Sequence, residues 1–283
     1  MRMKLSTDNR RPALAEALKK GKIKLAFQPI YESGGERFNK AEVLCRLEYG
    51  GKIVMPGDFI PYAEQNGYID AVTIGVLKEL GECRTRSALE NIVFSVNISP
   101  VQLKKKGFGK CFSAWVEENG LEPKSIIAEI TETEEYEVGG TVAENLAALE
   151  QSGFFLAVDD FGKGSSDIEK VALLPVRYIK IDKMYIDRIE ESGVERMLRT
   201  VIGYAGRTGK KCVAEGVETV RQKQILERLR CHYFQGYLFS RPLYEEEFLL
   251  AVEKRGSVPA RGQISTIAYP ASDASADGAR IYR

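Results

Sequence analysis

Apolar residues recur along the chain in two alternating rhythms. Eight short runs rich in Val, Ile, Phe and Tyr are apolar nearly throughout, as strands buried on both faces are. They are 24–31 "KLAFQPIY", 39–47 "NKAEVLCRL", 91–99 "NIVFSVNIS", 126–131 "IIAEIT", 154–161 "FFLAVDDF", 176–182 "VRYIKID", 210–216 "KKCVAEG" and 232–239 "HYFQGYLF". Between them, 71–86, 109–119, 140–153, 189–209 and 220–229 place apolar residues at helical spacing. Gly120, Gly153 and Gly209 close three of these stretches just before a strand, where a helix C-cap belongs. Strands alternating with helices predict a parallel α/β architecture. Eight such units in about 230 residues fit a (β/α)8 TIM-like barrel, whose usual size is about 250. An open doubly wound sheet is the alternative, but no Gly-x-Gly-x-x-Gly turn follows the first strand.

The ends lie outside this rhythm. Residues 1–11 read as a flexible segment, and 12–21 "PALAEALKKG" as a short helix leading into the first strand. The barrel domain is expected over 12–254. From 255 to 283 the chain turns to Ser, Ala, Gly and Asp without periodicity, the composition of a disordered tail.

Composition narrows the function. The 44% hydrophobic and 29% charged fractions are those of a globular protein. A formal net charge of +1 provides no field for DNA, RNA or an anionic membrane. No run approaches the roughly 18 apolar residues of a membrane span, and "MRMKLSTDNRRP" lacks the apolar core of a signal peptide. The cytoplasm is therefore the expected compartment. Cys45, Cys83, Cys111, Cys212 and Cys231 are scattered singly and read as reduced, packed thiols. With His232 as the only histidine, a histidine-rich metal site is excluded, and catalysis must run on carboxylates, amides and lysines.

Seven of the eight strands deliver a polar side chain near one end: Glu42, Asn97, Glu129, Asp159 with Asp160, Lys180 with Asp182, Glu215, and Gln235. A lone strand-end carboxylate is most often a helix cap or an ion-pair partner, and Lys180 beside Asp182 could be an ordinary pair. The joint occurrence points elsewhere, because barrel strands converge at one mouth, where active sites are found. Crowded carboxylates repel one another and raise one another's pKa values unless cations neutralise them. Hard oxygen ligands suit Mg²⁺ or Mn²⁺. Two such ions are a standard device for phosphoester cleavage. Enolising or aldol chemistry, with Lys180 as base or Schiff-base nucleophile, is the rival reading.

The motifs "QPIY", "AEVLCRL", "FSVNIS", "EITE", "DDFGKG", "IKIDK", "AEGVET" and "QGYLFSRPL" occur in this order, and over 12–254 the chain resembles the EAL-domain cyclic di-GMP phosphodiesterases. The resemblance implies a modified barrel with an antiparallel first strand. It implies metal ligation by Glu42, Asn97, Glu129, Asp159 and Asp160, with two ions of Mg²⁺ or Mn²⁺. Lys180 would sit beside the attacking water, with Glu215 and Gln235 completing the mouth. Arg46 would pair with a substrate phosphate, while Gln28 and Leu44 hold the nucleotide. Glu132, Asp182 and Glu218 would support these residues from behind, Glu132 by tethering the loop after Asp160. The implied reaction is in-line attack of a metal-bound hydroxide that opens cyclic di-GMP to linear pGpG. Ca²⁺ is expected to bind without supporting it. A homodimer, and a sensory or GGDEF domain in a longer native protein, complete what the resemblance implies.

The loop after Asp160 departs from the family pattern: Lys163, Ser165 and Asp167 stand where a small or polar residue, a tyrosine and a serine are usual. In the family this loop couples metal binding to dimer contacts, so its changes bear on regulation. A catalytically silent receptor for cyclic di-GMP, or a protein-interaction module, is the alternative on the same fold. Members of that class usually lack one or more ligands, and by motif none is missing here.

Overall fold

In a computed structural model of the protein, the structure describes residues 7–34, 37–131, 140–162, 171 and 174–254. Glu132, the loop residues Lys163, Ser165 and Asp167, and the 255–283 tail lie outside the described residues. Eight strands close a barrel: β1 (Lys22–Glu32), β2 (Phe38–Tyr49), β4 (Val93–Ile98), β5 (Ile126–Thr131), β6 (Phe155–Phe161), β7 (Tyr178–Ile181), β8 (Lys211–Ala214) and β9 (Tyr233–Phe234). Two short strands, β3 (Lys52–Val54) and β10 (Leu243–Tyr244), pair at its rim with β2 and β1. From β2 to β9 each strand runs parallel to the one before it in the barrel. β1 is antiparallel to both its neighbours, β2 and β9. Residues 33–37 are too few for a crossover helix, so β1 and β2 can only form a hairpin.

That hairpin has a second consequence. With no helix between β1 and β2, their outer face needs another cover, and the helix Glu245–Glu253 supplies it. Phe248 stacks on Phe27 of β1 with ring centroids 4.8 Å apart, and both are fully buried. Elsewhere the outer face is covered by Ile69–Arg84, Phe108–Glu118, Thr141–Gln151, Ser192–Arg207 and Val220–Arg228, as the helical spacing predicts. A smaller core lies at the hairpin's far end, where Ala17 meets Leu47, Phe59 and Ala63. The N-terminal helix runs Thr7–Lys20, so residues 7–11, expected in a flexible segment, begin it. No described helix is long and apolar enough to cross a membrane.

The barrel interior is layered by the two-residue period of its strands. Ile30, Ile127, Ala157, Tyr178 and Val213 form one buried apolar cluster. Each lies two residues from a polar residue on the same strand or, for Glu215, just past its end: Gln28, Glu129, Asp159, Lys180 and Glu215. The apolar layer thus floors a polar one.

Candidate active site

β1 and β2 bring the first two polar residues opposite each other, Gln28 against Glu42. Asn97 of β4 stands level with Glu129 of β5. Asp159 of β6 stands level with Thr131 of β5, and Lys180 of β7 neighbours Val213 two residues below Glu215. Parallel pairing at these registers delivers the side chains to one mouth.

Lys180 is at the centre, with 1% of its surface exposed. Its Nζ lies 2.8 Å from Glu129 Oε2, 2.9 Å from Glu215 Oε1, 3.1 Å from Asp159 Oδ1 and 3.5 Å from Glu42 Oε2. Gln235 Nε2 donates to Glu42 Oε2 at 2.6 Å and to Gln28 Oε1 at 3.1 Å. Gln28 Nε2 in turn donates to the Ser240 carbonyl at 3.3 Å. Asn97, open to solvent, donates from Nδ2 to Glu42 Oε1 at 3.3 Å. The amides thus fix Glu42 from both sides.

Asp160 closes the set by an unusual backbone. Its φ is 57°, one of two left-handed non-glycine residues among those described, a conformation that costs an L-residue about 1–2 kcal/mol. The register of β6 against β7 shifts between Val158 and Phe161, and the Asp160 amide donates to Asp159 Oδ1 at 2.9 Å. This bulge turns two consecutive carboxylates toward one place, which a regular strand would send to opposite faces. Asp159, Asp160 and Glu215 then offer carboxylate oxygens that all lie within 4.8 Å of one another.

Electrostatics set what this cluster can do. Burial disfavours charge on Lys180, but Asp159, Glu129, Glu215 and Glu42 together raise its pKa well above the ordinary lysine value. Burial lifts Glu215 to about 8 against the pull of Lys180. Burial, with Glu42 and Asp159, likewise holds Glu129 well above the usual carboxylate range, although Lys180 opposes it. A lysine held as a cation by four carboxylates is no nucleophile, which weighs against the Schiff-base reading.

The residues fit divalent metal. With all five carboxylates (Glu42, Glu129, Asp159, Asp160 and Glu215) ionised, the single ammonium leaves a formal charge of −4, which two divalent cations would cancel. Among the described residues, Glu129 Oε1 and Gln235 Oε1 are buried without a hydrogen-bond partner, costly unless another group meets them. The donors are all oxygen, as Mg²⁺ and Mn²⁺ prefer.

Other sequence-predicted residues lie around this centre. Leu44 and Arg46 alternate with Glu42 along β2 and so share its face, Leu44 buried and Arg46 half-buried. The Arg46 guanidinium bonds the Cys45 carbonyl at 2.8 Å. Asp182 caps the helix Lys183–Ile186, its Oδ1 accepting from the Met184 amide at 2.8 Å. Glu218 pairs with Lys183 at 2.9 Å. The Ser240 carbonyl and Tyr185, whose hydroxyl meets the loop beyond Asp160, were missed. A backbone acceptor has no signature in side-chain chemistry, and a one-turn helix shows no period.

A family model described as EAL domain matches residues 11–242. The chain is 34% identical over 244 residues to the oxygen sensor protein DosP of Escherichia coli, covering 83% of this chain and 30% of that protein. It is 31% identical over 229 residues to the probable cyclic di-GMP phosphodiesterase PdeA of the same organism, covering 80% of this chain and 31% of that one. The chain thus spans about a third of the length of these relatives. The solved structure of the PaMucR phosphodiesterase in complex with c-di-GMP superposes with a TM-score of 0.76 at 28% identity, covering 84% of this chain and 99% of that one. The hairpin-closed barrel, the acidic mouth and the span of the match agree, and the chain belongs to the EAL domain family.

Proposed function

We propose that this domain is a metal-dependent phosphodiesterase that hydrolyses cyclic di-GMP to linear pGpG in the cytoplasm. The observation that carries the reading is the convergence of Glu42, Asn97, Glu129, Asp159, Asp160, Lys180, Glu215 and Gln235 in one mouth. The names of PdeA and PaMucR, one a probable cyclic di-GMP phosphodiesterase and the other solved with c-di-GMP, support the substrate.

Asp159, Asp160 and Glu215, with Glu42, Asn97 and Glu129, would hold Mg²⁺ or Mn²⁺. When bound, these ions supply the positive charge that activates water and polarises the phosphodiester. The chain's own residues do the rest. Lys180 Nζ orients the attacking water and steadies charge that develops on the phosphoryl oxygens. Gln235 and Asn97 hold the Glu42 carboxylate in one orientation, so that its oxygens meet the reacting centre at a fixed angle. Arg46 offers a planar guanidinium to a substrate phosphate, and Leu44 and Gln28 line the nucleotide's path. Attack breaks one P–O3′ bond, leaving a 3′-hydroxyl and a 5′-phosphate. The greater length of the curated relatives supports a parent protein with sensory or GGDEF domains, and a homodimer belongs to the same reading.

Incubation of the purified chain with cyclic di-GMP and Mn²⁺, followed by chromatography, is expected to yield pGpG. Glu42→Ala should abolish turnover while leaving the fold intact. Binding of cyclic di-GMP by calorimetry with no product at micromolar enzyme would replace the hydrolase with a receptor.

A further inference from the structure

The helix Lys183–Ile186 is a single turn, yet it touches the neighbours of two separate carboxylates of the site. It hangs from β7, the strand of Lys180, through its cap Asp182. On one side Tyr185 Oη donates to the Gly162 carbonyl at 2.8 Å, and its ring occupies the space a Cβ on Gly162 would need. Gly162 stands two residues past Asp160, and its own φ is 106°. On the other side the methylenes of Lys183 occupy the space a Cβ on Gly216 would need. Gly216, with φ 66°, directly follows Glu215.

The same turn therefore braces both flanks of the Asp159–Asp160–Glu215 group. Each flank has a glycine in left-handed backbone, and each vacated Cβ position is filled by a side chain from one helix. Glycine adopts such backbone without strain, and Tyr185 and Lys183 pack into the space that the missing Cβ atoms leave. Lys183 acts by packing. Its ammonium, 2.7 Å from Asp187 Oδ1 and 2.9 Å from Glu218 Oε1, is turned to those partners.

We propose that Tyr185 and Lys183 are positioning residues that set the spacing of Asp159, Asp160 and Glu215, and with it the affinity of the site for a divalent cation. The inference rests on the metal-site reading above. Groups that orient metal ligands typically change metal affinity about 10–100-fold when lost.

The test is calorimetric titration of Mn²⁺ into the metal-free full chain, with the melting temperature of each metal-free protein measured in parallel. Tyr185→Ala and Lys183→Ala should weaken Mn²⁺ binding by about tenfold or more. Tyr185→Phe, which keeps the ring and loses one hydrogen bond, should lose about two- to fivefold with little change in metal-free melting. Lys183→Met, which keeps the methylenes, should stay within about threefold of wild type, separating packing from charge. If Tyr185→Ala does not fold, Tyr185→Phe and the two Lys183 variants decide. Wild-type affinity in every folded variant, with Mn²⁺ bound by the wild type, overturns the positioning role alone. A wild type that binds no Mn²⁺ overturns the metal reading and this inference with it.

Discussion

At Lys180 the contest between burial and charge is decided by numbers. One ammonium with 1% exposure is surrounded by four carboxylates within 3.5 Å, and its charge is the attraction that holds them together when no metal is bound. Breaking a buried ion pair by removing one partner costs about 3–5 kcal/mol, because the other charge is left uncompensated. Lys180→Met should therefore lower metal-free stability by about that much near pH 8. The loss should shrink toward pH 5.5. Already in the wild type Glu215 is lifted to about 8 and Glu129 is raised against the pull of Lys180, so without the lysine both rise further. The folded variant then binds more protons than the unfolded chain across this range, so its stability falls as pH rises. Urea unfolding at pH 5.5 and pH 8 measures the difference, and an equal loss at both would show that the carboxylates are not charged around Lys180. Turnover should fall by about 10²–10³-fold as well, the usual effect of losing an electrostatic stabiliser.

At the scale of elements, β8 and β9 are joined by an interaction far from the mouth. The Cys212 amide of β8 donates to Nδ1 of His232, just before β9, at 3.2 Å. That nitrogen can accept only in neutral imidazole. Burial, and then Lys211, lowers the His232 pKa below 6.5. The sign follows from proton binding. Below pH 6.5 the unfolded chain takes up a proton that the folded protein resists, so stability is complete above 6.5 and declines as pH falls toward the lowered folded value. His232→Asn, which keeps an acceptor and cannot titrate, should flatten stability between pH 6.5 and 5.5, measured by urea unfolding. An unchanged slope would place the acid sensitivity elsewhere.

The same scale shows what the sequence made legible. Strands buried on both faces stand out as apolar runs, and β5 falls on its expected residues, Ile126–Thr131. The polar strand ends announced the site, because a barrel has only one place to put them. The antiparallel β1 came from family resemblance, since an apolar run carries no direction. Tyr233–Phe234 is all that remains of the strand expected over 232–239. Past it, backbone groups turn to Val217 and Gln28 instead of a sheet neighbour, which apolar content alone does not reveal. Glu245–Glu253 escaped notice because its role, covering a hairpin that lacks a crossover helix, exists only once the barrel has closed.

For the whole molecule, the barrel supplies rigidity and the site draws on it. An apolar floor, and strands locked by register, hold carboxylates closer together than their charges favour. On the metal-site reading, a divalent cation would relieve this repulsion only in the folded state, so its binding is expected to stabilise the fold. At one hundred times its dissociation constant an ion adds about 2.7 kcal/mol. For a domain of this size each kcal/mol raises the melting temperature by about 2–4 °C. Mn²⁺ at that level should thus raise it by about 5–10 °C. Glu129→Gln, which keeps the shape but cannot offer an ion an anionic oxygen, should blunt the rise. Ca²⁺ separates binding from chemistry. It accepts oxygen donors at 2.3–2.6 Å in looser geometry than the 2.0–2.1 Å octahedron of Mg²⁺. It should therefore raise the melting temperature as Mn²⁺ does while yielding no pGpG from cyclic di-GMP, in parallel thermal scans and turnover assays on one preparation. Turnover with Ca²⁺ would mean that the spacing of these carboxylates does not discriminate between ions. No shift with any divalent ion would mean that Lys180 alone satisfies the cluster.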